Sequence, residues 1–464
     1  MERLSGLDAS FLYLETPEQP LNVCGLIELE AVGDDVDYDA DALKVELLRR
    51  LEGIPTLRKK LHDSVFNLDH PVWVEDENFD IDKHFYRMTL PAPAGKDEVA
   101  AACAHFSVQP LDRSRPLWEM WVLEGAKNGK TPIFLKMHHS TVDGISAANI
   151  ISLLCSIDRD AEPLPPSPGV GSVNNFDLAV GSAVSFASRP LQALSILPAT
   201  VRTLTGWIGR ARSGRAMPPP FVAPRTQFNG TLSRHRSVAF EQLKLSDVKE
   251  IKNAFDAKVN DVVLAMCAGA IRIYLEKSDG LPEESLIAVV PVSVHEKSSR
   301  PGTNQVSAMF ASLATDIDDP VERLLAISAS HEVGKEHNRE IGATLLQDWA
   351  QFASPATFAA AMRAYAALDL AQHHPVVHNL VMSNVPGPPM PLYFLGAKVT
   401  GMFPLGPILH GAGLNITVMS GDGRLDIGLI ADREQTPDLD RLADAMGESL
   451  AELLDAAQTR TKES

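Results

Sequence analysis

Two adjacent imidazoles, a hydroxyl, a carboxylate and a glycine stand in one stretch, His138-His139-Ser140-Thr141-Val142-Asp143-Gly144. An unperturbed imidazole titrates near neutrality, so His suits proton transfer at cellular pH. A neutral alcohol or amine attacking an activated acyl group needs such a base. If the donor is a thioester it is already activated, and one His with an oxyanion stabiliser suffices, the base contributing roughly 10²–10⁴-fold. Gly144 removes side-chain bulk and permits unusual backbone angles. Asp143 either holds the loop through an Arg or orients a His, and the four-residue spacing leaves both open. Taken alone, the stretch also reads as an ordinary polar turn. Metal binding fits less well, because neighbouring residues on a strand point to opposite faces. Neither G-x-S-x-G nor H-E-x-x-H occurs. His373-His374 lacks a following Asp-Gly and reads as structural.

The elements around the stretch position it. Pro132 to Met137 reads as a strand running into the histidines, and Ile145 to Cys155 as a helix leaving them. Pro116 to Glu124 is a second strand, joined to the first through the hairpin signal Asn128-Gly129. Gly125 to Thr131 mimics a phosphate-binding loop, but its first glycine is one residue too close and a strand follows, so a turn is the better account. Strands are also expected at Cys24–Glu30, 235–241, Leu286–Val294, Gln305–Leu313, Asn379–Met382, Lys398–Met402, Leu414–Met419 and Leu425–Ile430. Helices are expected near 39–53, 96–108, 246–254, 259–276, 320–337, 356–371 and 437–458. Asn260 or Asp261 is placed to cap the helix that starts near 259. Interspersed strands and helices in both halves predict mixed α/β layers in two domains.

The 464 residues, 45% hydrophobic and 22% charged, suit a folded protein of two or three domains. The formal net charge of −18 argues against binding a nucleic-acid backbone. Four scattered cysteines show no ligand or disulfide pattern and read as reduced thiols. The first residues carry no apolar signal region, so a cytoplasmic location is expected. Proline clusters at 163–168 and 218–224 bracket a connection over 161–225, leaving domains at 1–160 and 226–464. Within it, Phe176 to Ile208 is apolar, and Arg202, Arg210, Arg212 and Arg215 cluster at its C-terminal end. That stretch either lies on an anionic lipid surface or packs between domains.

His-His-x-x-x-Asp-Gly resembles the signature of the coenzyme-A-dependent acyltransferases. Leu4-Ser5-Gly6-Leu7-Asp8 with Phe11, Pro116-Leu117-Trp118, Asn260-Asp261, Pro291-Val292-Ser293, Asn304-Gln305, Ser383-Asn384-Val385-Pro386-Gly387-Pro388 and Gly413-Leu414-Asn415 accompany it. Together, across residues 4 to 435, they resemble the bacterial wax ester synthase/diacylglycerol acyltransferase family. The resemblance implies two chloramphenicol acetyltransferase-like domains with an active-site tunnel at their interface. It implies acyl-CoA as co-substrate, no cofactor, and diacylglycerol or a long-chain alcohol as acceptor. It makes His139 the general base, with His138 and Asp143 shaping the loop and no covalent acyl-enzyme. Asn260 would stabilise the oxyanion or position the acceptor. Gly144, Asp261, Pro116, Trp118 and Asn384 would support the site, with Ser383–Pro388 as an interface loop. Peripheral association with the inner membrane or lipid droplets follows. The alternatives are an acyltransferase for another hydroxyl lipid, using a carrier-protein or coenzyme A thioester, and a catalytically inactive droplet-binding protein.

Overall fold

The computed structural model describes residues 2–30, 39–63, 69–127, 129–141, 150–151, 153–159, 216–278, 280–293, 306–341 and 355–463. Residues 162, 165, 205, 207 and 209–211 are described singly. Two sheets dominate. The N-terminal sheet has seven strands, in the order Phe85–Thr89, Trp118–Glu124, Lys130–His138, Asn22–Glu30, Ala397–Leu405, Tyr393–Phe394 and Cys155–Ser156. Only its first pair is parallel. The C-terminal sheet has six, in the order Val306–Ser312, Ile287–Ser293, Leu380–Pro386, Leu414–Gly421, Arg424–Asp432 and Arg236–Lys244. Its middle three strands run parallel and the others antiparallel. A third, small sheet joins Glu2–Arg3, Val72–Glu75 and Lys59–His62.

Period-two burial sorts the faces of the N-terminal sheet. Ile133, Leu135 and Met137 face the helix Ala40–Leu51, whose Leu43, Leu47 and Leu51 recur at helical spacing. Phe134 faces the other way, into a core shared with the helix Lys96–Ser107 and with Val238, Phe240 and Ile430 of the C-terminal sheet. The two halves therefore share one apolar core. Ala397–Leu405, late in sequence, also crosses over to pair with Asn22–Glu30. Where this strand meets the C-terminal sheet, Gly428 permits backbone contact, since a Cβ there would lie 2.0 Å from the Pro404 carbonyl oxygen. The far face of the C-terminal sheet is covered by Val259–Ser278 and Leu439–Glu463, flanked by Leu245–Ala254 and Pro320–Ile341.

Most expected elements appear within a few residues of their expected bounds. Two expectations are corrected, at Ser383–Pro386 and at Cys155. Ser383–Pro386 continues the strand Leu380–Pro386 rather than forming a loop; Pro386 ends the strand and is exposed, so its missing N–H costs little. Cys155 lies in a short strand, not a helix. Asp261, inside the helix, reaches back to cap the Lys258 N–H at 3.1 Å, and the Asn260 side chain meets Asn384. Trp207, near the end of the apolar stretch, is buried in the C-terminal core, its indole N–H donating to the Met217 carbonyl at 2.9 Å. Residues 166–204 lie outside the described residues.

Candidate active site

The strand Lys130–His138 is buried along nearly its whole length. It is clipped on both sides where it ends: the His138 N–H donates to the Leu117 carbonyl at 3.0 Å, and the His139 N–H to the Leu21 carbonyl at 2.8 Å. Beside it, Trp118 is buried, its indole N–H donating to Leu57 at 2.7 Å, and Pro116 is buried next to it. These two residues therefore hold the strand that carries the histidines. Below them the buried Lys136 ammonium pairs with Glu119 at 2.8 Å and donates to the Phe106 and Gln109 carbonyls. This cation sits on the C-terminal end of the helix Lys96–Ser107, where the helix dipole favours it.

His138 is committed to the frame. Its Nδ1 accepts from the Ser140 N–H at 3.0 Å and from the Ser140 hydroxyl at 2.7 Å. A backbone N–H only donates, so in the neutral ring the proton resides on Nε2. That nitrogen faces a Glu15 carboxylate oxygen at 3.1 Å, out of line for a good hydrogen bond but close enough for strong attraction. Glu15 also accepts from Arg113 at 2.6 Å and from the Leu21 N–H at 3.1 Å. Burial pushes the Glu15 carboxyl up, but His138 and Arg113 outweigh it and hold it down to about 2.

His139 differs. Its side chain is half-buried, and Phe11 stacks on it with centroids 4.0 Å apart and planes 15° from parallel. Phe11 belongs to the helix Gly6–Tyr13, whose start is fixed by Ser5: its hydroxyl accepts from the Asp8 N–H and donates to the Asp8 carboxylate. The Leu-Ser-Gly-Leu-Asp motif is thus a helix cap that places an aromatic ring on the second histidine.

A second group lies in the C-terminal half. Asn384 donates to the Asn260 side-chain oxygen at 3.1 Å, so these two predicted residues do meet. Asn260 Nδ2 lies 3.4 Å from both nitrogens of His331, which places the amide over the ring face. Asp261 turns away, accepting from His331 Nδ1 at 2.7 Å and from the Ser328 hydroxyl at 3.0 Å. Burial pushes its carboxyl up; His331, the Lys258 N–H and Ser328 outweigh that and hold it below the usual carboxylate range. Asp261 therefore supports Asn260 through His331. Asp143 and Gly144 lie outside the described residues.

The segment after the first helix ties the groups together. Glu15 touches His138, Thr16 meets His410 at 3.1 Å, Glu18 pairs with Arg234 at 3.0 Å, and Gln19 accepts from the His410 N–H at 2.6 Å. Nothing in local spacing flags Glu15, Arg113 or His331. Burial pushes the thiols of Cys24, Cys155 and Cys267 up to about 12 and that of Cys103 well above its ordinary value, so none of the four supplies a ready thiolate.

The family model for the wax ester synthase/diacylglycerol acyltransferase catalytic domain matches residues 4–263. The C-terminal domain model matches residues 302–454. The chain belongs to the wax ester synthase/diacylglycerol acyltransferase family. It is an acyltransferase. A Mycobacterium tuberculosis (strain CDC 1551 / Oshkosh) family member, provisionally named a diacylglycerol O-acyltransferase, is 48% identical over 98% of this chain and 91% of its own. The solved wax ester synthase/diacylglycerol acyltransferase from Marinobacter aquaeolei VT8 is 31% identical, with a TM-score of 0.73 over 99% of this chain and 100% of that one. The first condensation domain of the calcium-dependent antibiotic synthetase shares the fold alone, at 15% identity and a TM-score of 0.59 over 98% of this chain and 96% of that one.

Proposed function

We propose that this acyltransferase moves a long-chain acyl group from acyl-CoA to the free hydroxyl of diacylglycerol, forming triacylglycerol, and that it also esterifies long-chain alcohols. His139 takes the hydroxyl proton as the oxygen attacks the thioester carbonyl. The tetrahedral intermediate collapses, the carbon–sulfur bond breaks, and the imidazolium returns the proton to the departing thiolate. No acyl-enzyme is needed, because the thioester is already activated. Asn260, held by Asn384 and His331, stabilises the oxyanion or positions the acceptor. Both substrates reach His139 through a tunnel between the halves.

One observation carries the assignment of roles. His138 is buried, its Nδ1 accepting from Ser140 and its Nε2 facing Glu15, whereas His139 is only half-buried and is steadied by an aromatic face. Attachment to the inner membrane or a lipid droplet is peripheral in this reading; no helix among the described residues is long and apolar enough to cross a membrane. A mass-spectrometric product screen with palmitoyl-CoA against diacylglycerol, monoacylglycerol and fatty alcohols tests the assignment. Triacylglycerol is the expected main product. Its absence, with another hydroxyl lipid esterified instead, overturns the acceptor.

A further inference from the structure

The strand Leu380–Pro386 sends alternate side chains to opposite faces of the C-terminal sheet. Leu380 and Met382 point into the core under the helix Val259–Ser278, and Asn384 meets Asn260 of that helix. Val381 and Ser383 therefore point the other way. The neighbouring strand agrees: Ser383 lies beside Thr417 and Val381 beside Asn415, while Ile416 and Val418 belong to the helix-side core. The face that carries Ser383 is the one that meets the N-terminal half. Ile430, Val238 and Phe240, on the same face, enter the core shared with Phe134.

Topology then sets Ser383 across from the histidines. The two sheets touch along a seam, where Asp426 accepts from the Met402 N–H at 2.8 Å and the Pro404 carbonyl fits against Gly428. Away from the seam, Asn22–Glu30 and then Lys130–His138 follow in one sheet. Leu414–Gly421 and then Leu380–Pro386 follow in the other. The histidines and Ser383 thus stand on facing sheets, the same number of strands from the seam. There the C-terminal face is only half-buried, at Val289, Val381 and Ser383. The polar neighbours of Ser383 are already committed: the Thr417 hydroxyl donates to Asn415 at 2.8 Å, and Asn415 to the Pro407 carbonyl at 3.1 Å. The Ser383 hydroxyl has no hydrogen-bond partner among the described residues.

We infer that Ser383 is a catalytic residue, its hydroxyl donating a hydrogen bond to the thioester carbonyl oxygen as negative charge gathers there. This role rests on the direct-attack reading proposed above. No proton leaves Ser383: His139 takes the acceptor's proton and returns it to the thiolate. A fixed donor on the wall across from the base suits that step. Asn260 and Asn384 lie on the helix side of the sheet, and their bond at 3.1 Å pins the residue next to Ser383. Asn260 then acts on the oxyanion through Ser383, as a positioning residue.

The test assays full-length Ser383→Ala and Ser383→Cys with palmitoyl-CoA, against diacylglycerol and against 1-hexadecanol, beside their melting temperatures. Cys keeps the shape of the side chain but is a weak donor. Both variants lower kcat by roughly 10²–10³-fold, with the KM for palmitoyl-CoA and the melting temperature little changed. The factor is the same for both acceptors, because the donor carbonyl is common to both. Asn260→Ala lowers kcat alone, yet adds less than about threefold in the Ser383→Ala background, since the two act as a unit. Wild-type kcat in Ser383→Cys, or a loss confined to one acceptor, overturns the inference. So does a full further loss from Asn260→Ala in that background, which would make Asn260 the donor. If wild-type enzyme esterifies 1-hexadecanol but not diacylglycerol, the acceptor assignment fails alone, and the same losses on 1-hexadecanol support Ser383. Near-wild-type turnover in His139→Ala removes the base and with it the direct-attack reading on which this role rests.

Discussion

Replacing Glu15 by Gln keeps the shape of the side chain and removes its charge. The carboxylate faces His138, Arg113 and the Leu21 N–H together, and its side chain is only 19% exposed. Its pKa is lowered from 4.5 to about 2. At about 1.36 kcal/mol per pH unit, that displacement corresponds to about 3 kcal/mol of native-state stabilisation. Because the folded pKa is depressed, the contribution is complete above the unfolded value of 4.5 and disappears as pH falls towards about 2. Chemical denaturation near neutral pH should show Glu15→Gln less stable by up to about 3 kcal/mol, with the gap closing below about pH 3. The variant also loosens His138 and the chain that continues into His139. Turnover should fall between about tenfold and a hundredfold with KM little changed, as for a misplaced catalytic group. Glu15→Asp should recover part of both losses. Wild-type stability and turnover in Glu15→Gln, or a stability gap that persists in acid, would refute the reasoning.

Other consequences follow from separate parts of the molecule. Gly428→Ala sets a Cβ against the Pro404 carbonyl where the two sheets meet, and should lower stability by about 3 kcal/mol in a denaturant titration. Asp261→Ala strands the buried His331, and should cost roughly 3 kcal/mol as well as lowering turnover by releasing Asn260. Burial pushes His410 down to about 4 while it links Thr16, Gln19 and Leu232. The folded protein therefore resists its protonation, and stability should decline as pH falls from 6.5 towards 4, a slope that His410→Gln reduces.

The sequence made some of this architecture legible because strand and hairpin patterns are local. The alternation Phe134-Leu135-Lys136-Met137 and the turn glycines around it define the strand that ends in the histidines. The Asp422-Gly423 pair between Leu414–Gly421 and Arg424–Asp432 is a hairpin signal of the same local kind, and both residues adopt positive φ. Long-range partners were not legible. Glu15 stands 123 residues from His138 with nothing at helical or strand spacing to connect them, and the crossing of Ala397–Leu405 into the N-terminal sheet has no local signal. The resemblance implies an interface loop over Ser383–Pro388, yet its first half extends the strand Leu380–Pro386, because a proline at the end of a strand lacks only one donor. The purpose of the motif Leu4–Asp8 is visible only in the fold, where Ser5 and Asp8 form a helix cap that aims Phe11 at His139.

The central claim is that His139, and not His138, carries the proton. Single-turnover transfer of radiolabelled palmitate from palmitoyl-CoA to diacylglycerol by His139→Ala, beside its denaturant midpoint, tests this directly. A loss of roughly 10²–10⁴-fold with the midpoint unchanged is expected. Near-wild-type transfer by the folded variant would contradict it.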